Sequence, residues 1–226
     1  MTVLADIPLA VNATDLAAHL RLRSGSEHFD VLQRLVEQAG DVARPKALYR
    51  VAYIDARKDD QVVIEGVTFR SRVLSVNLEK VHRVFPYLVT CGMELEAWSR
   101  GIEDMLHSYW ADAIKEAALR SARQVLVDHL RETYRLGTTS TMSPGSLADW
   151  PIQQQRPLFA LLGDTEKAIG VRLLDSMLMV PAKTVSGIRF STEEHFESCQ
   201  LCPREACPGR RAAYEPDLYE RKYGES

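Results

Sequence analysis

"IGVRLLDSMLMVPAKTVSGIRF", residues 169–190, reads as two strands that turn at Pro181-Ala182-Lys183, with Ser186-Gly187 allowing another stretch of backbone to approach closely. Upstream lies "MSPGSLADWPIQQQRPLFALLG" (142–163). There a Pro-Gly turn passes through a second proline into a short helix that stops at Gly163. The whole of "LGTTSTMSPGSLADWPIQQQ" is rich in Ser, Thr, Pro and Gly and reads as loop. Before it runs the longest helical signal, from about Glu94 to Leu136 with a break near Gly101. Trp110, Ile114, Ala117, Ala118, Val125 and Leu126 form its apolar stripe, and Lys115, Glu116, Arg120, Arg123 and Arg131 are assigned to water.

The front half supplies strands. Residues 46–56 and 61–76 are β-like and joined across "RKDD", with an interruption at Gly66, and "RVFPYLVTCG" (83–92) is a further strand ending at Cys91. "VLADIPLAV" (3–11) reads as a short strand, followed by a helix capped at Asn12 or Thr14. "SEHFDVLQRLVEQAGDVA" is a second helix, with Phe29, Leu32, Leu35 and Val36 on one face and Gly40 as its expected end. Strands and helices are segregated, not strictly alternating. This predicts an α+β fold, a twisted antiparallel sheet packed with helices. Residues 1–192 are expected to form this domain and 193–226 a Cys-rich C-terminal extension.

Composition narrows the function. Of 226 residues 46% are hydrophobic and 26% charged, with 28 Lys and Arg against 31 Asp and Glu, a net charge of −3. The interspersed charges give no basic face for nucleic acid. No apolar run reaches the ~20 residues that span a bilayer. The opening "MTVLADIPLAVNATD" has no basic n-region and carries Asp6, so no signal peptide is expected and the cytoplasm is the default location. In that compartment clustered cysteines are read first as metal-binding or redox-active.

"HFESCQLCPREACPGRR" (195–211) holds three of the four cysteines at the spacing His195-x3-Cys199-x2-Cys202-x4-Cys207. Thiolates two residues apart can close on one ion. Four ligands suit zinc, with His195 or the distant Cys91 completing three cysteines, and the same thiolates could hold an iron–sulfur cluster. Free reduced thiols on a tail are the alternative. His107, His129 and Lys183 fit helix surfaces or a hairpin tip, and Trp150 fits a packing anchor or an exposed indole. There is no Ser/His/Asp constellation, P-loop or G-x-G-x-x-G fingerprint.

In order and spacing, the 142–163 and 169–190 segments, with "TCGMELEAWS" (90–99), resemble the activation domain of vitamin B12-dependent methionine synthase and its stand-alone relatives. The resemblance is good from about residue 84 to 190 and patchy before 45. It implies binding of S-adenosylmethionine against a corrinoid face, so that one-electron reduction of an oxidised cobalamin is trapped by methylation. The chain would act in trans on a corrinoid protein or a truncated cobalamin-dependent methionine synthase, as an accessory subunit, with an electron donor as a further partner. Ser143, Pro144, Gly145 and Ser146 are the candidate ligand cradle, with an ordinary connecting loop as the alternative. Aligned on Pro144-Gly145, the family's carboxylate-binding arginine is Thr141 here and its tyrosine is Ser146. Thr cannot reproduce a two-pronged guanidinium grip. Gln124 stands where the family places an acidic ligand. The rival reading is a metal- or cluster-containing docking module for a corrinoid protein that binds no S-adenosylmethionine.

Overall fold

The computed structural model describes residues 1–207 and 209–224. Strand β1 is only Thr2–Leu4, shorter than predicted. Helix α1 (Ala13–His19) starts at Asn12, whose side chain accepts from Thr14 N–H at 2.7 Å. Helix α2 (Glu27–Val42) runs through Gly40 and ends at Ala43. Pro45, not the glycine, stops it, because the residue before a proline is driven out of the helical region. Strands β2 (Lys46–Tyr49) and β3 (Ala52–Lys58) share one line along their neighbour, broken at Arg50-Val51. The break lies opposite Pro86, which accepts from Arg50 N–H at 3.0 Å and has no N–H to give back.

Strands β4 (Gln61–Ile64) and β5 (Val67–Arg70) turn at Glu65-Gly66. The stretch 71–76, predicted as strand, is instead helix α3 (Arg72–Asn77), capped by Ser71, which accepts from Leu74 N–H at 2.9 Å. Strand β6 (Arg83–Thr90) is followed by helices α4 (Met93–Arg100) and α5 (Met105–Tyr134), separated near Gly101 as the sequence indicates. Strand β7 (Thr139–Met142) emerges from what the composition marks as loop. Helices α6 (Gln155–Leu162) and α7 (Thr165–Ile169) follow, then strands β8 (Arg172–Leu173), β9 (Met179–Val180) and β10 (Thr184–Ser191), and finally helix α8 (Leu218–Tyr223).

The predicted hairpin over 169–190 is divided differently. Its turn lies at 174–178, where Leu174 N–H donates to Leu178 O at 2.9 Å, and only β8 and β9 pair across it. The chain turns again after Pro181, whose carbonyl accepts from Thr184 Oγ1 at 2.8 Å. Strand β10 thereby enters the main sheet, antiparallel to β6 from Thr184↔Thr90 to Phe190↔Val84 and to β7 on its other side. The sheet runs β1-β2-β6-β3-β4-β5, extended through β10 to β7, and every pairing is antiparallel.

Alternation along β6 sorts two cores. Phe85, Tyr87 and Val89 lie under Leu119, Ala122, Leu126 and Leu130 of α5. Val84 and Leu88, with Ile188 and Phe190 of β10, face Leu158, Leu161 and Leu162 of α6 and Ile169 of α7. Phe196, Leu218 and Tyr223 enter this second core, so residues beyond 192 pack into the body of the fold. A third cluster joins α1, α2 and α4 to the front of α5 through Leu32, Leu95, Trp110 and Ile114. Two helix assignments reverse. Lys115 is buried beside Glu96, while Val125 is 36% exposed. Among the described residues no helix is long and apolar enough to cross a membrane.

Candidate functional site

The Pro-Gly loop leaves β7 and lies against β10 at its glycine. A Cβ on Gly187 would come within 2.6 Å of Met142 O and 2.9 Å of both Ser143 Oγ and Tyr87 Oη. Only a residue without a side chain lets the loop rest there. Gly145 is held to glycine chiefly by its backbone, at φ +84°, where an L side chain is strained. The loop is closed on itself. Gly145 N–H donates to Trp150 O at 2.7 Å, Ser146 N–H donates to Ser143 O at 3.1 Å, and Ser146 Oγ donates to the same carbonyl at 2.6 Å. Pro144 has no N–H to offer. Two of the cradle's amides are therefore spent inside the turn, while among the described residues the Ser143 side-chain hydroxyl makes no hydrogen bond.

The loop is anchored behind by Asp149-Trp150. The Asp149 carboxylate accepts from Arg72 N–H at 3.2 Å, from Val73 N–H at 3.0 Å and from the Ser71 hydroxyl, crossing to cap α3. The Trp150 indole is fully buried and meets the Phe69 ring edge-on at 6.3 Å between centroids. It is a packing anchor, not an exposed platform.

Beneath the loop, Thr141 Oγ1 contacts Tyr87 Oη at 3.1 Å and Ile188 O at 3.4 Å. Directly across the β10–β7 register from Thr141 stands Arg189, a residue the sequence did not single out. It is 8% exposed, its Nη1 donates to Thr139 Oγ1 at 2.7 Å, and its buried Nε has no partner. Burial holds its guanidinium below the usual arginine range. The available signal was strand alternation: in β10, Val185, Gly187 and Arg189 share the face turned toward α5, so this arginine could not face open water. Gln124 lies on the exposed side of α5, and its Nε2 donates to Asp128 Oδ1 and Oδ2 at 3.0 and 2.9 Å.

The tail residues are placed, but not as a ligand set. Among the described residues no group of three or more His, Cys, Asp and Glu side chains is arranged to hold a metal. The expected ligands His195, Cys199, Cys202 and Cys207 are held by local contacts. The His195 ring lies between Thr139 O at Nδ1, 3.0 Å, and Glu197 Oε1 at Nε2, 3.2 Å. The thiol of Cys199 accepts from Arg211 N–H at 3.4 Å. A guanidinium organises the turn instead. Arg210 donates to the carbonyls of Cys199 and Ala212, each at 3.1 Å, to that of Cys202 at 3.1 Å and to that of Arg204. Cys91 lies elsewhere, fully buried, its thiol pushed up to about 12 chiefly by burial. Iodoacetamide at pH 8 is expected to alkylate Cys199, Cys202 and Cys207 in the native protein and Cys91 only after unfolding. Mass spectrometry that finds the tail thiols protected until a chelator is added would assign them to a metal instead.

Neither a protein-family model nor a curated protein matches the sequence. Among solved structures, the MetH reactivation domain bound to AdoHcy aligns with 88% of this chain and 81% of its own, with a TM-score of 0.61 and 15% identity. The chain has the fold of that reactivation domain. The expected α+β architecture, an antiparallel sheet packed with helices, is the one observed.

Proposed function

We propose that this protein acts as a reactivation domain does: it docks on a corrinoid-carrying partner and presents an S-adenosylmethionine molecule, held beside residues 143–146, to the corrinoid. The observation that carries the reading is the agreement of fold along most of both chains, with the Pro-Gly loop resting on Gly187. The ligand would supply the methyl group and the partner the metal, while this chain contributes orientation and the exclusion of water. The partners offered here are neutral. Thr141 and Ser146 present hydroxyls that are already hydrogen-bonded, and the Gln124 amide is held by Asp128. These three positions do not fit the charged ends of an amino-acid tail, and the fit rests on Ser143.

Calorimetric titration with S-adenosylmethionine is expected to give saturable binding, weakened about fivefold in Ser143→Ala, the value of one ordinary hydrogen bond. Retention of a corrinoid protein without any saturable S-adenosylmethionine binding would select the second reading, a docking module. The spent amides of the loop favour that reading. Loss of both would overturn the proposal.

A further inference from the structure

At the other end of β7 from the Pro-Gly loop, about 13 Å away for four extended residues, a cleft of ≈530 Å³ opens where the end of α5 meets β10. Val127, Arg131, Thr138, Thr139, Arg189 and His195 line it. We propose that this cleft binds a small oxyanion, a carboxylate or a phosphate group, between Arg189 and Arg131.

The first support is the uncompensated guanidinium. Arg189 is more than nine-tenths buried, yet among the described residues it makes no ion pair; its side-chain hydrogen bond goes to a neutral hydroxyl and its Nε is orphaned. A buried charge left this way is costly unless something of opposite sign completes it. The nearest carboxylate, Glu197, is committed to Arg211 at 2.7 Å and to His195 at 3.2 Å. The second support is the surrounding charge. Arg131, on the rim, makes no ion pair or side-chain hydrogen bond among the described residues, and Arg123 and Arg211 add positive potential at Arg189. Cationic groups of which one is preorganised by burial suit the flat, two-oxygen edge of a carboxylate or phosphate. The site rests on Arg189 and Arg131 alone and needs neither corrinoid nor S-adenosylmethionine, so it stands or falls apart from the function proposed above.

The test is a titration of the full chain with inorganic phosphate and, separately, with acetate, at ionic strength fixed by sodium chloride, following the amide resonances of Thr138 and Thr139. Saturable shifts are expected. Arg131→Ala, at an exposed position, should weaken binding about tenfold by removing one charge-assisted contact. Arg189→Met should abolish it and, in anion-free buffer, unfold at a temperature no lower than the wild type. Tighter phosphate would assign a phosphoryl ligand and tighter acetate a carboxylate, each within the proposal. Shifts that do not saturate, or that saturate identically in Arg131→Ala, would overturn it, and this arm holds even if Arg189→Met does not fold.

Discussion

Trp150→Ala is expected to lower the stability of this protein by about 3–5 kcal/mol, the range for truncating a fully buried aromatic. In a chain of this size that is a fall of roughly 6–20 °C in melting temperature. The indole packs between the β4–β5 hairpin and α6, edge-on to Phe69, and its backbone carbonyl holds Gly145. Its neighbour Asp149 caps α3 from the same turn. Truncation therefore removes core volume and loosens the loop that carries the candidate ligand site. Trp150→Phe should behave differently. It keeps a ring against Phe69 and deletes an indole N–H that is buried without a partner, a group whose desolvation costs about 1–3 kcal/mol. The loss of packing is thus partly offset, and the phenylalanine variant should lose less than half of what alanine loses. Urea unfolding midpoints at unchanged m report the comparison. Equal losses for the two substitutions would mean that the indole N–H is satisfied in solution and that the ring kept by phenylalanine does not replace it.

Local patterns announced the elements whose burial is one-sided. Phe29, Leu32 and Leu35 mark α2, and the β-like residues over 46–56 and the first part of 61–76 mark the hairpin strands, because each has one wet face that leaves a period in the sequence. The period fails where neighbours decide. Thr139–Met142 contains too little apolar surface to signal a strand, and it becomes β7 because β10 offers a free edge and Thr139 can accept from Arg189. Strand β10 itself is buried on both faces, so it has no wet face whose period would set the arginine of "SGIRF" apart as a buried cation. In the tail, the cysteine spacing satisfied the geometry of a metal site. What gathers that turn is Arg210, a residue outside any ligand motif, acting on carbonyls that every sequence has.

Lys115→Met is the second substitution with a large expected effect, about 3–5 kcal/mol of lost stability, because it strands a partner. Lys115 Nζ and Glu96 Oε2 are 3.2 Å apart, and the two side chains are only 10% and 11% exposed. Glu96 has one other cationic neighbour, Arg100 at 3.2 Å, whose side chain is 66% exposed and which therefore compensates weakly. Removing the ammonium leaves a carboxylate in the seam between α4 and α5 with most of its desolvation unrepaid. Replacing both residues tells a different story. Lys115→Met with Glu96→Leu removes the two charges together and fills the seam with apolar atoms, a change that is often neutral or stabilising. The double variant should regain most of what the single variant loses, giving a large coupling energy in the double-mutant cycle. The pair also has a reach beyond the seam. Asp112 lies 3.7 Å from Lys115 and 2.9 Å from Lys183, in the turn that feeds β10. The network thus ties the front of α5 to the strand that carries Gly187 and Arg189. A double variant no more stable than Lys115→Met would show that the methionine, not the orphaned carboxylate, is what the seam fails to accommodate.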